Sequence, residues 1–435
     1  MGRAVPVLSL SAVPTALIVI PPDPVILVFA SLLWLQAALK FLALAHRPQL
    51  VRLPDPEAWP RYTVLVPLFR EAAALPRLVQ ALSRLDYPTD RLQILMVCEA
   101  DDPLTLAAMP PLPAHFSVVR VPPSHPRTKP KALRIAMREA TGDLVTIYDA
   151  EDAPHPGQLR QAARTLLSDT TLAAVQAPLR VDNLAPGWIA RQFALEYAGL
   201  FYTWVPGLCA ANVPSPLGGT SNHIRRSALE AAGGWDAWNV TEDADLTFRL
   251  AMGEKGRIGW IDLPTQEEAV ETFRLWRNQR SRWIKGFAQT WIAHMKAPLA
   301  PGGWRGLRRC LALQATVGLT LLSTLFHLPT LLWIVWKAAS GSPPSPVILA
   351  LGGAFYGSGV VVAVMGARRA GLRLRALDLL SVPLYWMLMT WPAWAAMVDL
   401  VRRPSYWNKT PHGVSARPML EPAPCLPDSS PTSPT

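Results

Sequence analysis

Three clusters of chemistry-bearing residues stand out along the chain: Asp149-Ala150-Glu151-Asp152, Thr241-Glu242-Asp243 and Gln279-Arg280-Ser281-Arg282-Trp283. The first follows the apolar run Leu144-Val145-Thr146-Ile147-Tyr148, which reads as a buried parallel strand. Acids at the carboxyl end of such a strand sit where open α/β sheets bind ligands. Asp149, Glu151 and Asp152 crowd together and repel one another unless a cation or hydrogen-bond donors offset them. A divalent metal on Asp149 and Glu151, carrying a diphosphate, meets that need, because hard cations take carboxylate oxygens together with substrate phosphates. Mg²⁺ or Mn²⁺ is the expected cofactor. The alternative is a helix N-cap cluster ahead of residues 156–167.

Glu242 and Asp243 lie in a second acidic turn, followed by a helix-like stretch over residues 244–250. A carboxylate there can take the proton of an attacking hydroxyl, and Asp243 is the expected base. An N-cap of the following helix is the alternative. Gln279, Arg282 and Trp283 fall within one turn of an expected helix. An amide, a guanidinium and an indole suit a sugar ring and a phosphate.

In this order the three clusters resemble the signature of the family 2 glycosyltransferases. The resemblance is to the membrane-embedded branch that includes cellulose and hyaluronan synthases, and it covers roughly residues 61–413. Each motif is weak alone; three in order are not. The resemblance implies an α/β fold of the nucleotide-diphospho-sugar transferase type. It implies an inverting transfer from a UDP-type donor to a growing polysaccharide that is threaded through the membrane. Single glycosylation of a lipid is the alternative, and a non-catalytic nucleotide-sensing membrane component is the rival from another class.

The resemblance also assigns residues. Pro67 and Glu71 fall in the first nucleotide-contacting turn, where a helix-start acid is the plainer reading of Glu71. Glu99 stands where the family usually has an Asp on the base or ribose, with Asp101 or Asp102 as substitutes. Lys131, in the basic turn Lys129-Pro130-Lys131, is the expected phosphate-side lysine at a helix start. Glu151 replaces the usual second Asp of the metal motif and reaches one methylene further. Asn222 and His223, after Gly218-Gly219, are placed facing the acceptor, against the plainer reading of a packed polar histidine. Trp407, Thr410 and His412 belong to a stretch resembling the synthases' gating loop, in which Lys409 replaces an apolar residue and His412 a lysine.

The elements that must carry these residues follow from pattern. Strand-like runs alternating with helix-like ones, beginning at Tyr62–Pro67 and continuing through residues 72–85, 93–98 and 171–176, predict a doubly wound, mostly parallel sheet. Half of the 435 residues are hydrophobic and 17% are charged, against about a quarter charged in ordinary soluble domains. That deficit points to a membrane. Residues 25–45, 310–336 and 347–366 are apolar enough to span, and residues 4–20 are a marginal partner for the first.

The net charge of +11 fits basic cytoplasmic loops, above all residues 368–375. No nucleic-acid partner is expected, since the basic residues lie beside apolar segments. The four cysteines lack metal-site spacing, so neither zinc nor a disulfide framework is expected.

The expected division is 1–47 membrane segments, 48–268 cytoplasmic transferase domain, and 269–309 amphipathic interface helices. Two transmembrane helices follow over 310–366. Residues 367–413 hold the basic loop, an interfacial or re-entrant helix and the gating-like loop, and 414–435 a disordered tail. Residues 377–400 are interrupted by Pro383 and Pro392 and are expected not to cross. The expected location is the plasma (inner) membrane with the catalytic domain cytoplasmic. Expected partners are the nucleotide sugar, a carbohydrate or lipid acceptor, membrane lipids, and export or regulatory subunits.

Overall fold

The computed structural model describes residues 22–46, 53–184, 187–253, 256–300, 302–406, 409 and 417. Residues 4–20, Trp407, Thr410, His412 and the rest of the tail lie outside this set.

The central sheet is built from β1 (Tyr62–Leu68), β2 (Leu92–Glu99), β3 (Phe116–Val121) and β4 (Leu144–Ile147). A short strand, β5 (Ala153–Pro154), leaves it before β6 (Leu172–Gln176). β7 (Leu179–Val181), β8 (Asn222–Arg225), β9 (Arg257–Trp260) and β10 (Thr265–Glu267) complete the set. Seven strands run in the order β3-β2-β1-β4-β8-β6-β9, and β5-β10-β7 make a small second sheet. β1 pairs in parallel with β2 and β4, β2 with β3, and β6 with β9; β8 alone runs antiparallel to its neighbours β4 and β6. The expected mixed α/β architecture with a mostly parallel sheet is the one found.

The apolar runs form strands because both faces of the sheet are covered. Side chains alternate between the faces. Leu65, Leu95 and Val97 enter one core, and Val64, Val66, Ile94, Met96 and Cys98 the other. The carboxyl ends of the adjacent strands β2, β1 and β4 therefore open on one edge, bringing Glu99, Pro67 and Asp149 together.

Among the described residues three helices are long and apolar enough to cross a membrane: Leu27–Ala45 within the helix Pro22–Ala45, Gly303–Ala339, and Pro346–Arg369. The second carries a π-helical turn at Gln314–Gly318. Residues 377–400 are broken into Ala376–Leu380, Val382–Leu388 and Thr390–Arg402. The last of these has 13 residues, about 20 Å of helix, short of a typical hydrocarbon core. It packs on the Phe273–Met295 helix, placing Ala393 and Ala396 against Ile284.

The transferase domain is joined directly to the spans. The helix Trp188–Gly199, the π-turn Leu200–Trp204 and the helix Val205–Ala210 lie against Pro346–Arg369 and Pro22–Ala45. A Cβ at Gly207 would fall 2.1 Å from the Ala43 carbonyl oxygen and 2.5 Å from its Cα, so only glycine fits. Gly207→Val should therefore lower stability by about 1–3 kcal/mol through overpacking, read as a lower Tm of the detergent-solubilised protein. An unchanged Tm would mean that this helix contact is not made.

Candidate active site

A cavity of about 360 Å³ opens at the carboxyl edge of the sheet. Its walls include Pro67, Glu71, Glu99, Asp149, Glu151, Glu242, Asp243, Gln279, Arg282 and Trp283. Three separate stretches of sequence thus meet in one place. Asp149 and Glu151 follow β4 by strand topology. Asp243 sits in the first turn of the helix Glu242–Leu250. Thr241 occupies the N-cap position, so Asp243 is not the cap and its carboxylate lines the cavity.

The third stretch lies on the helix Phe273–Met295, capped by Thr272, whose hydroxyl accepts from Leu275 N at 3.4 Å. Gly286 lets the acidic turn press on this helix: a Cβ there would lie 2.3 Å from Thr241 Oγ1. Gln289 and Thr290 also bond the turn, accepting from Val240 N at 3.2 Å and from Asn239 Nδ2 at 2.9 Å.

Lys131 and Lys129 separate in the structure. Lys131 is buried and donates to Glu99 at 3.0 Å, and it is not part of the cavity wall. Lys129 is the lysine of the cavity, bonded to Asp149 and donating to the Gly219 carbonyl at 2.8 Å. A Cβ placed on Gly219 would lie 3.8 Å from both Lys129 Nζ and Asp243 Oδ2, so base and cation face the same point. The signal that could have chosen Lys129 was its position one residue after Thr128, the N-cap of the Lys129–Ala136 helix.

For Asn222 and His223 the structure gives the plainer of the two readings, packed polar residues. Both are buried in β8. His223 Nδ1 meets Tyr62 Oη at 2.6 Å and its Nε2 meets Gln158 Oε1 at 3.2 Å. Burial pushes its pKa down to about 3, so it is a neutral core histidine. Asn222 Nδ2 is spent on the Gly218 carbonyl at 2.6 Å. Asp102 does structural work: its carboxylate accepts from Arg70 N at 2.5 Å and Thr105 N at 3.3 Å. Asp101 pairs with Arg127.

Sequence reading missed the support beneath Trp283. Arg280 is buried, pairs with Glu196 at 2.7 Å, and lies 4.4 Å from the centroid of the Trp283 ring. Tyr197 stacks on that indole at 6.3 Å between centroids. Tyr385 donates to Glu196 at 2.7 Å and receives Trp276 Nε1 at 2.9 Å. Glu196 is a lone acid in an aromatic stretch, and no spacing points to it.

Electrostatically the cavity is short of positive charge. Burial, then Asp149, pushes the Glu151 pKa up to about 8. Burial, only partly offset by Lys129 and reinforced by Asp243, raises Glu242 to about 7. Burial raises Asp243 to about 6 against the opposing help of the Ala244 amide and Lys129. Asp152 and Glu267 are also driven up, by burial and by each other's neighbours in the cluster.

Asp152 Oδ1 and Glu267 Oε2 are buried with no hydrogen-bond partner. Orphaned carboxylate oxygens beside Asp149 and Glu151 suit a hard divalent cation. No group of three or more ligating side chains is preformed among the described residues.

Residues 60–286 match the family model described as Glycosyltransferase like family 2. The chain belongs to that family and is a hexosyl-transferring enzyme. It is 27% identical over 377 residues to the beta-monoglucosyldiacylglycerol synthase of Synechocystis sp. (strain ATCC 27184 / PCC 6803 / Kazusa), covering 83% of this chain and 77% of that protein. It is 29% identical over 234 residues to the probable glycosyltransferase YdaM of Bacillus subtilis (strain 168), covering 52% of this chain and 55% of YdaM.

Against cellulose synthase 1 of Komagataeibacter xylinus the identity is 25% over 316 residues, which is 67% of this chain and 18% of the synthase. The chain thus spans about half of YdaM and a small part of the synthase. Among solved structures it is similar in fold to the mannosyltransferase PcManGT from Pyrobaculum calidifontis in complex with GDP-Man and Mn²⁺. The TM-score is 0.56 at 23% identity, covering 86% of this chain and 99% of that one.

The raised acids give a stability test. A carboxyl whose folded pKa lies above its unfolded value stabilises the fold below the unfolded pKa and loses that contribution as pH rises through the folded one. With Glu242 at about 7 and Glu151 at about 8, the Tm in excess chelator should fall from about pH 5 to about pH 8. Mn²⁺ should flatten that slope at its alkaline end. A Tm that is flat in chelator, or a slope that Mn²⁺ leaves alone, would remove the cation from this site.

Proposed function

We propose that the chain catalyses an inverting transfer of a hexosyl group from a nucleoside diphosphate donor, UDP in the first reading, to an acceptor hydroxyl presented at the membrane. The observation that carries this is the convergence of Asp243, Lys129 and Arg282 on one cavity at the strand ends. Asp243 Oδ2 takes the acceptor proton. The freed oxygen attacks the anomeric carbon from the side opposite the diphosphate, and the bonding pair of the departing C–O bond leaves with the nucleotide. Lys129 and Arg282 bear on that growing negative charge. Asp149 and Glu151 are the residues that would hold a Mg²⁺ or Mn²⁺ ion, which when bound neutralises the diphosphate. Gln279 and Trp283 position the acceptor, and Pro67, Glu71 and Glu99 the nucleoside.

Two acceptors are in play. The extent of likeness to a glycolipid synthase, 83% of this chain and 77% of that protein, supports a lipid. The Gln279-x-x-Arg282-Trp283 motif favours the second reading, extension of a polysaccharide with translocation of the product. Lys409 donates to Glu71 at 2.7 Å, and Arg417 pairs with Asp182 at 2.8 Å. These flanking anchors support a nucleotide-covering role for Thr410 and His412. We further propose that the catalytic domain is cytoplasmic, since Arg368, Arg369, Arg373 and Arg375 crowd one end of the Pro346–Arg369 helix.

Asp243→Asn keeps the shape and removes the proton acceptor. Turnover should fall by about 10²–10⁴ while UDP still binds in calorimetry. Wild-type kcat/KM should climb with pH and reach half its plateau near the Asp243 value of about 6, because the base must be ionised. Near-normal turnover in the variant would take Asp243 out of the role.

Orientation is tested separately, with Glu139→Cys in a background lacking the native cysteines. This exposed position should resist an impermeant thiol reagent in intact cells and react once the membrane is opened. Labelling in intact cells would reverse the topology.

A further inference from the structure

A second cavity, of about 280 Å³, lies among the membrane helices beside the catalytic one. The two share Glu196, Leu200, Trp204 and Thr320 as walls, so they adjoin. Much of the second is apolar, with Phe355, Val362, Val382 and Met389 among its walls. Two polar side chains on the Pro22–Ala45 helix break that character: Gln36 and Lys40, one turn apart on the same face.

Lys40 has no carboxylate partner among the described residues; its ammonium sits over the Phe355 ring, 4.2 Å from the centroid. The acid of the cavity, Glu196, is already held by Arg280 and Tyr385. A lysine near the end of a span ordinarily snorkels to the nearer surface. This one does the reverse. Phe355 clusters with Phe29 and Leu33, N-terminal to Lys40 on its own helix, so the ammonium is turned inward, away from Ala45. Charged groups in spans mark ligand paths. Gln36 supplies an independent sign: its side chain is 8% exposed, and its Oε1 is buried without a donor.

A lone cation and an unfilled acceptor oxygen call for an anion and a hydroxyl on one molecule with apolar tails. We propose that this cavity binds the headgroup of an anionic, hydroxyl-bearing phospholipid. A phosphate oxygen lies on Lys40, a headgroup hydroxyl donates to Gln36 Oε1, and the acyl chains start along the apolar walls Phe355, Val362, Val382 and Met389. That this lipid serves as the sugar acceptor rests on the membrane-acceptor reading above; its binding does not.

The test uses the full chain in phosphatidylcholine nanodiscs, with phosphatidylglycerol as probe and native mass spectrometry of retained lipid as readout. Wild type should prefer phosphatidylglycerol by about fivefold or more. Lys40→Gln should lose the preference and Lys40→Arg should keep it, with UDP affinity reporting that each variant is folded. Gln36→Leu should weaken phosphatidylglycerol more than phosphatidic acid, which lacks the headgroup hydroxyls.

An unchanged preference in Lys40→Gln overturns the proposal. Displacement of the lipid by inorganic phosphate would make this a soluble-anion site and overturn it too, as would displacement by a neutral oligosaccharide, which would make it a glycan passage. Lys40-dependent lipid binding in a protein that releases no UDP from any donor would instead defeat the transfer reading and leave this site standing.

Discussion

The structure turns on a shortage of positive charge at one edge of a sheet. Asp149, Glu151, Glu242, Asp243 and Glu267 line one cavity with Asp152 beside them, and Lys129 and Arg282 are among the fewer basic side chains that answer them there. Ions buried in low dielectric cost several kcal/mol each unless paired. The empty-handed protein therefore holds protons on several of these acids. Lys129 is itself held by Asp149 and the Gly219 carbonyl. A divalent cation, if bound there, would supply positive charge that these acids lack, so its binding and their ionisation would be linked. Burial lifts Asp243 to about 6, into the range where a carboxylate can serve as a base near neutral pH.

That edge is tied to the membrane through the helix Phe273–Met295. One of its faces carries Gln279, Arg282 and Trp283 into the cavity. Gly286 receives Thr241 of the acidic turn. Trp276 and Arg280 bond to Tyr385, which belongs to the broken helices after the last span. Lys285 donates to the carbonyls of Arg403 at 3.2 Å and Tyr406 at 2.6 Å. The acidic turn, Trp283 and residues 403–406 are thus all carried by or packed on this one helix. A change in how this helix lies on its neighbours would reach the base and the nucleotide end together.

Much of the site was legible in the sequence because its residues are strange where they stand. Acids directly after an apolar strand have no structural excuse, and Asp149, Glu151 and Asp243 meet in the cavity as their motifs suggested. The prolines at 383 and 392 forecast the break in the apolar stretch 377–400, since neither can continue a ladder of backbone bonds. What pattern could not give was direction. Lys129 and Lys131 are two residues apart on a helix, so one faces the cavity and the other the Glu99 carboxylate. His223 follows a glycine pair that looks like a ligand turn. In the structure it is the second residue of β8, with its ring edge-on to Tyr62 and Tyr148. Glu196 needed the fold outright, because its partner Arg280 is far away along the chain.

The position of Glu196 bears on how an acceptor reaches the base. It stands between the catalytic cavity and the cavity among the spans, and it is one of four residues common to both. Arg280 satisfies its charge from below while also resting on the Trp283 ring. The wall between nucleotide and membrane is therefore an ion pair backed by aromatic rings, not a row of backbone. An acceptor arriving from the bilayer would pass Thr320, Glu196 and Trp283 before meeting Asp243, and each offers a hydroxyl, a charge or a ring face to a sugar or glycerol.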